Sequence, residues 1–245
     1  MSAWKTLVSV ATYNERENIE PLVAAIRESV PGIHLLVIDD GSPDGTGDWC
    51  QQFELENHWF HYIQRGSKQG LGTATICGMQ FAIEQGYDLW IGMDADFSHP
   101  PARLPAMIES MGEFSSPVAD VVIGSRYCPG GGVSGWPWSR RIMSRCVNVY
   151  ARFLMGLSPK DCSGAFRCCR TALLEELDFS AIRSTGYSFF EEFLWHLKGL
   201  GARVVEIPII FTDREYGQSK LNRKEAVNSL WMMFKLGIRN WLRLG

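Results

Sequence analysis

The stretch Leu89-Trp90-Ile91-Gly92-Met93-Asp94-Ala95-Asp96 is an apolar run that stops on two carboxylates separated by one small residue. A run of this length and composition predicts a short strand buried on both faces, with the carboxylates at its C-terminal end. Hard divalent cations take oxygen ligands, and Mg²⁺ in particular takes one or two carboxylates and fills its other positions with water and substrate phosphates. An Asp-x-Asp at a strand end therefore suits a nucleotide diphosphate. The competing reading is that Asp94 and Asp96 only cap the helix expected to begin near Pro101.

The same pattern repeats to either side. Residues 6–11, 35–39 and 121–123 are strand-like apolar runs, and residues 18–30 and 72–85 have helical spacing. This alternation predicts an α/β chain whose mainly parallel sheet is covered by helices. In such sheets the binding crevice lies outside the carboxyl ends of the strands. Here those ends read Thr12-Tyr13-Asn14-Glu15, Asp40-Gly41-Ser42-Pro43-Asp44-Gly45, Asp94-Ala95-Asp96 and Gly124-Ser125-Arg126-Tyr127. Three of the four carry carboxylates, so one rim is acidic. Asp40 and Asp44 stand where extra carboxylates could reach a nucleoside, although Ser-Pro and Asp-Gly also suit a plain turn.

With 245 residues and 46% hydrophobic content, the chain can build one substantial core. A net charge of -3 offers no excess of Lys and Arg for nucleic acid, so any basic site must be local. The seven cysteines include an adjacent pair but no C-x-x-C, and read as reduced thiols of a cytosolic protein. The start MSAWKTLVSVATYNE lacks the charged flank and cleavage site of a signal peptide. No apolar window reaches the roughly 18 residues needed to span a bilayer.

Residues 129–139 are rich in Gly and Trp and predict a loop too long and aromatic for a simple turn. Gly130-Gly131-Gly132-Val133-Ser134-Gly135 matches G-x-G-x-x-G in form, but it follows no strand directly and opens no helix. A mobile lid, with Trp136 and Trp138 as apolar surface, fits better. A helix over residues 140–155, a strand–helix region to about residue 201, a strand over 204–211, a polar loop and a helix from about Asn222 follow. Arg126, Arg140, Arg141, Arg145, Arg167, Arg214 and Lys220 recur in polar segments. Such a cluster would hold an anionic acceptor and stabilise a departing diphosphate, while any single surface arginine is more simply solvated. The histidines are scattered, and His99 is expected to shape the turn rather than transfer protons. In the last helix Val227, Leu230, Trp231, Phe234, Ile238 and Trp241 share one face, flanked by Lys235, Arg239 and Arg243. An interfacial membrane helix and a helix docked on the protein's own core both fit.

These segments resemble, in order and spacing, the family-two glycosyltransferases, and in particular their dolichol-phosphate mannose synthase branch of the type without transmembrane helices. The likeness rests on Thr12-Tyr13-Asn14-Glu15-Arg16-Glu17-Asn18, Ile38-Asp39-Asp40-Gly41-Ser42-Pro43-Asp44-Gly45-Thr46, Gly70-Leu71-Gly72-Thr73-Ala74, Asp94-Ala95-Asp96-Phe97-Ser98-His99-Pro100, Gly124-Ser125-Arg126-Tyr127, Gly164-Ala165-Phe166-Arg167 and Arg214-Glu215-Tyr216-Gly217-Gln218-Ser219-Lys220-Leu221. The last motif is the narrowest and points to polyprenyl-phosphate acceptors. The resemblance implies a GT-A fold over residues 1–221 followed by a C-terminal amphipathic helix over 222–245. It implies GDP-mannose as donor and a dolichyl or other polyprenyl phosphate as acceptor. Thr12, Tyr13, Glu15, Ile38 and Asp40 would hold the guanosine, with Lys68 nearby and Ala95 also on the nucleotide. Asp94, Asp96 and Ser98 would bind Mg²⁺ or Mn²⁺ and the diphosphate. Arg126, Arg140 and Ser144 would take the acceptor phosphate, and Arg214 and Lys220 would close over the reacting phosphates, making Asp96, Arg126, Arg214 and Lys220 the catalytic set. Ala11 stands where the family usually has Pro, and Gln69 where some relatives have Lys.

A phosphate monoester is ionised near neutral pH and needs no strong general base, so the expected reaction is a single displacement with inversion. The expected place is the cytoplasmic face of a membrane, reached by peripheral contact or through a small membrane-spanning partner. Another donor such as UDP-glucose, a sugar-phosphate nucleotidyltransferase, and a non-catalytic binding subunit are the competing readings.

Overall fold

The computed structural model describes residues 4–186, 188–213, 231–238 and 241–242. In chain order the strands are β1 (Thr6–Thr12), β2 (His34–Asp39), β3 (Phe60–Gln64), β4 (Leu89–Asp94), β5 (Gly112–Glu113), β6 (Ser116–Pro117), β7 (Val121–Ser125), β8 (Gly132–Ser134), β9 (Arg167–Arg170), β10 (Val204–Pro208) and β11 (Ile210–Thr212). The helices are α1 (Arg16–Ser29), α2 (Thr46–Glu56), α3 (Leu71–Glu84), α4 (Leu104–Glu109), α5 (Trp138–Met155), α6 (Thr171–Glu175) and α7 (Phe189–Gly199). Seven strands form one sheet in the order β10-β7-β9-β4-β1-β2-β3. Its pairings are parallel except around β9, which runs antiparallel between β4 and β7.

Period-two alternation divides the core into two layers. Leu7, Leu36, Ile38 and Trp90 point to one face, where they meet Ala74 and Met79 of α3, Ala151 of α5 and Phe193 of α7. Val8, Val10, Leu35, Val37, Leu89, Ile91 and Met93 point to the other, under Ile19, Leu22 and Ile26 of α1 and Met107 of α4. Gly78 lets α3 sit close on the sheet, since a Cβ there would come within 2.6 Å of Ser9 Oγ. That hydroxyl accepts the buried Trp90 Nε1–H at 2.8 Å.

The mainly parallel sheet agrees with the sequence, while several elements differ from it. Helix α2 and strand β3 carry little apolar signal, because only Thr46 and Cys50 of α2 and only Phe60 of the edge strand β3 are buried. The strand expected over 204–211 is two strands: β10 pairs with β7 in the main sheet, and beyond Pro208 β11 pairs with β8 in a separate two-stranded sheet. The Gly-rich stretch is therefore pinned by a strand, and helix α5 begins at Trp138 rather than residue 140. Trp136, expected as lid surface, is buried instead. Cys168 and Cys169 of β9 fill opposite core layers, and none of the seven cysteines forms a disulfide. The expected boundary at residue 221 and the start of the last helix lie outside the described residues.

At the opposite end of the sheet from the carboxyl rim, the Tyr87 hydroxyl sits between His34 Nδ1 at 2.9 Å and His61 Nε2 at 3.2 Å. Burial, with the neighbouring charges of the other histidines and Lys5, lowers the His34 pKa from 6.5; burial also lowers that of His61. A lowered histidine pKa means that the unfolded chain takes up protons first as pH falls. Stability should therefore be full above about pH 6.5 and decline as the pH falls below it. Urea titrations at pH 7.5 and 5.5 should show this decline in the wild type and a smaller one in His61→Gln.

Candidate functional site

Strand β1 lies between β2 and β4, so successive connections leave it in opposite directions and a crevice opens at the carboxyl ends where the order reverses. A small cleft there is lined by Ala11, Ile38, Leu71, Asp94, Ala165 and Phe190, among others. The described residues with positive φ other than glycine, Asn14 at 62° and Phe97 at 59°, both lie in these rim loops. Held left-handed backbone of this kind gathers at functional sites.

Asp39 organises the rim after β2. Its Oδ1 accepts from Thr12 Oγ1 at 2.9 Å and from Ser42 Oγ at 2.5 Å, and its Oδ2 accepts the Gly41 and Ser42 N–H groups at 3.0 and 2.8 Å. The Thr12 hydroxyl is thereby committed to the loop, and the Ile38 side chain belongs to the core. Asp40 faces Arg65, whose Nε donates to Oδ1 at 2.7 Å and whose Nη1 donates to Thr73 Oγ1 at 2.7 Å. Lys68 Nζ lies 4.7 Å from the Tyr13 ring centroid, so these two expected nucleotide contacts are brought together. Glu15 opens α1, accepting the Asn18 side-chain amide at 2.8 Å. Asp44 is held by neighbouring backbone. It accepts the Thr46 N–H and hydroxyl at 3.0 and 2.6 Å and the Arg16 N–H at 3.0 Å, spending its carboxylate on the starts of α2 and α1.

At the end of β4, Ala95 is buried while Asp94 and Asp96 remain partly exposed. Asp96 Oδ1 accepts the Ser98 N–H at 3.1 Å, closing the turn across Phe97. His99 is buried, stacks on Phe166 and accepts the Asp94 N–H at Nδ1, 3.0 Å away. Burial holds its pKa below 6.5 against the pull of the Asp94 and Asp96 carboxylates, so the ring is neutral and shapes the turn. The Ser98 hydroxyl is buried and has no hydrogen-bond partner. Such an atom costs about 1–3 kcal/mol, and a diphosphate oxygen or a metal-bound water would satisfy it. Among the described residues, no three His, Cys, Asp or Glu side chains gather to hold a cation alone. Two carboxylates completed by phosphate and water are what Mg²⁺ or Mn²⁺ chemistry asks for, so the residues fit.

Across from this acidic end stands a basic cluster. Arg126 donates to Asp161 from Nε at 2.7 Å and from Nη2 at 2.6 Å, and its backbone N–H adds a third bond at 2.9 Å. Both side chains are buried, and although burial works against it, Arg126 holds the Asp161 carboxyl below the usual range. The Arg126 guanidinium also faces the Tyr127, Trp136 and Phe211 rings at 5.4 to 5.6 Å. Arg140 lies 4.1 Å from the Trp136 ring and pairs with Asp213 at 2.9 Å. Ser144 accepts the Tyr127 hydroxyl at 2.7 Å. Arg126, Arg140 and Ser144 thus share one surface built on Trp136 and Tyr127. Phe211 joins it to the β4 end, because its ring packs on both Trp136 and His99 and the next residue, Thr212, donates its N–H to the Ser98 carbonyl.

Other charges have structural duties. Arg167, grouped by sequence with the anion-binding cations, is fully buried and donates to the carbonyls of Gly164, Phe190 and Cys162 at 2.8, 2.9 and 2.5 Å. Asn148 of α5 holds the loop after Lys160, accepting the Cys162 N–H at 2.6 Å and donating to Ser163 Oγ at 3.2 Å. Burial pushes the Glu191 carboxyl up to about 7, and its Oε2 has no partner. Sequence reading missed Asp39, Arg65, Asp161 and Glu191; only Asp39, adjacent to Asp40, carried a local signal. Arg214 and Lys220 lie outside the described residues.

Breaking a buried pair by neutralising one partner leaves the other charge uncompensated. Asp161→Asn should therefore lower the unfolding free energy by about 3–5 kcal/mol in urea titration, whereas Ser163→Ala should cost no more than about 1 kcal/mol.

The model of glycosyl transferase family 2 matches residues 7–178. Polyprenol monophosphomannose synthase of Mycolicibacterium smegmatis is 40% identical over 239 residues, covering 97% of this chain and 89% of that protein. Undecaprenyl-phosphate mannosyltransferase of Micrococcus luteus is 40% identical over 218 residues, covering 89% and 88%. Dolichol-phosphate mannosyltransferase of Pyrococcus furiosus is 34% identical over 237 residues, covering 95% of this chain and 63% of that protein. Among solved structures, glucosyl-3-phosphoglycerate synthase from Mycobacterium tuberculosis with UDP superposes at TM-score 0.63 and 17% identity, covering 95% of this chain and 80% of that one. A mannosyltransferase from Pyrobaculum calidifontis with GDP-Man and Mn²⁺ superposes at TM-score 0.58 and 15% identity, covering 100% and 66%. The fold is thus GT-A, and the chain belongs to glycosyl transferase family 2 and is a glycosyltransferase.

Proposed function

We propose that this glycosyltransferase moves mannose from GDP-mannose to a dolichyl or other polyprenyl phosphate, with inversion at the anomeric carbon. One observation carries the reading: an acidic strand end with a buried, unpaired hydroxyl faces a buried-arginine cluster across Phe211. The first suits a diphosphate with its cation and the second suits an acceptor that is itself an anion. The three sequence relatives, each named for mannose transfer to a polyprenyl phosphate, support the acceptor and the sugar.

In this reading Tyr13, Glu15, Asp40 and Lys68 border the nucleoside, with Thr12 and Ile38 shaping the floor. Asp94 and Asp96, with Ser98 beside them, hold Mg²⁺ or Mn²⁺, which as a Lewis acid neutralises charge on the diphosphate. Arg126, Arg140 and Ser144 orient the acceptor phosphate. An ionised phosphate oxygen needs no general base, so these residues act by position and charge. Arg126, already neutralised by Asp161, offers directed N–H groups more than net charge. Arg214 and Lys220 remain assigned by family resemblance. A membrane-held acceptor calls for contact at the cytoplasmic face, directly or through a small membrane-spanning partner. Among the described residues, no helix is long and apolar enough to cross a membrane.

The test is transfer of label from GDP-mannose to lipid-extractable polyprenyl phosphate. Product should form with Mg²⁺ or Mn²⁺, vanish with chelator and vanish in Asp96→Ala, with unlabelled UDP-glucose a poor competitor. Product from UDP-glucose alone would overturn the donor, and no lipid product from a folded chain would overturn the acceptor. Ser98→Ala should cut the transfer rate by about ten-fold while raising the unfolding free energy of the free protein by up to about 1–3 kcal/mol, since the buried hydroxyl it removes makes no bond in the fold.

A further inference from the structure

A buried hydrogen-bond donor normally has an acceptor, and one without it asks for an explanation. Among the described residues, the two halves of the site each hold such a donor. One is the Ser98 hydroxyl, placed above beside the diphosphate and its cation; the other is the indole Nε1–H of Trp136. Trp136 is 7% exposed, too deep for bulk water to pair that N–H. Nor does the residue turn easily toward a partner, because its carbonyl accepts Arg141 Nε at 3.1 Å and Phe211 packs edge-on against its ring at 5.3 Å.

The charged groups over this indole are themselves donors. Arg140 lies over the ring at 4.1 Å and Arg126 at 5.6 Å. Each is held by a carboxylate that takes only part of its N–H groups. Asp161 accepts from Nε and Nη2 of Arg126, and Asp213 accepts from Nη1 of Arg140 at 2.9 and 3.1 Å. Among the described residues, Arg126 Nη1 and the Nε and Nη2 edge of Arg140 have no acceptor, and that edge is the fork that fits two phosphoryl oxygens. Donors therefore outnumber acceptors on this shelf. The Arg140 side chain is 24% exposed, which leaves the shelf open on its side.

We propose that the Trp136 indole N–H is a further ligand of the acceptor phosphate, binding one phosphoryl oxygen while Arg126 and Arg140 take the others. This rests on the polyprenyl-phosphate reading. A phosphate monoester offers three strong acceptor oxygens, and three groups with unpaired donors meet here. In the free protein Arg140 covers the indole; a phosphate engaging the free edge of Arg140 draws it off the ring and brings an oxygen to the N–H. An uncharged donor adds direction rather than charge. Pinning one of three equivalent oxygens limits which of them turns to the anomeric carbon, so the residue acts on orientation as well as affinity.

The test is nuclear magnetic resonance of the full chain with its nine tryptophans labelled with ¹⁵N at the indole, the Trp136 signal being the one that Trp136→Phe removes. Geranyl phosphate, a water-soluble prenyl phosphate, is titrated in without donor, and geraniol serves as the uncharged control. The Trp136 N–H should move downfield with geranyl phosphate and stay in place with geraniol. Trp136→Phe keeps an aromatic ring under the guanidinium groups and loses the donor; it should weaken geranyl phosphate binding by about ten-fold and leave the affinity for GDP-mannose unchanged. An indole that merely supports the arginines would also lose affinity in this variant, but its N–H would not move downfield, and that result overturns the proposal. So does a signal that geraniol moves equally, or binding that Trp136→Phe leaves intact. If the wild type binds no geranyl phosphate at all, the acceptor reading falls and this inference with it, whereas binding with an unmoved Trp136 signal removes the inference alone.

Discussion

The carboxylate of Asp161 is the interaction on which the second half of the site depends. Within the protein it accepts the Arg126 guanidinium, the Arg126 N–H and the Gly164 N–H. It thereby ties the loop after β7 to the loop before β9, segments brought side by side because β9 inserts antiparallel between β7 and β4. Two buried charges are tolerated only when geometry and hydrogen bonding compensate their lost hydration. Here the compensation is nearly complete, and the backbone around Arg126 has little freedom as a result. The aromatic shelf of Tyr127, Trp136 and Phe211 is built against that fixed guanidinium.

The neighbouring buried groups follow from the same arrangement. Arg167 joins the loop from Cys162 to Gly164 to the first turn of α7 by donating to carbonyls of both. Glu191 sits near both arginines yet lacks a donor for Oε2, which is why burial rather than pairing dominates its titration. The two halves of the site thus differ in kind. The β4 rim leaves the Asp94 and Asp96 carboxylates partly exposed, while the β7 side presents guanidinium groups against aromatic faces. In the proposed reaction that division would suit two anions, one held through a cation by carboxylates and the other received directly by arginines.

Much of this was legible in the sequence. The residue 89–96 run placed β4 and its carboxylates correctly, because a strand buried on both faces must be nearly all apolar and its polar boundary marks where it leaves the core. The α/β class, the four rim loops and the structural role of His99 followed from similarly local signals. Helix α2 and strand β3 did not, since edge elements bury few residues and their pattern fades. Asp44 carried no local sign that its carboxylate would bind the backbone N–H groups at the starts of α1 and α2, and Arg167 looked like an anion site and is a core residue.

The sequence by itself determined the buried strands β1, β2, β4 and β7 and the carboxylates at their ends, because periodicity and strand-end chemistry are written locally. Only the tertiary structure decided which charges are spent on the fold and which face the crevice. The partner that neutralises Arg126 is 35 residues away, and the one that holds Arg140 is 73 away. It also decided which side of α5 faces outward. A helix with apolar residues around much of its circumference does not say which stripe the core will take, and here Asn148, Ala151 and Met155 went inward while Trp138, Ile142, Val149 and Phe153 stayed out.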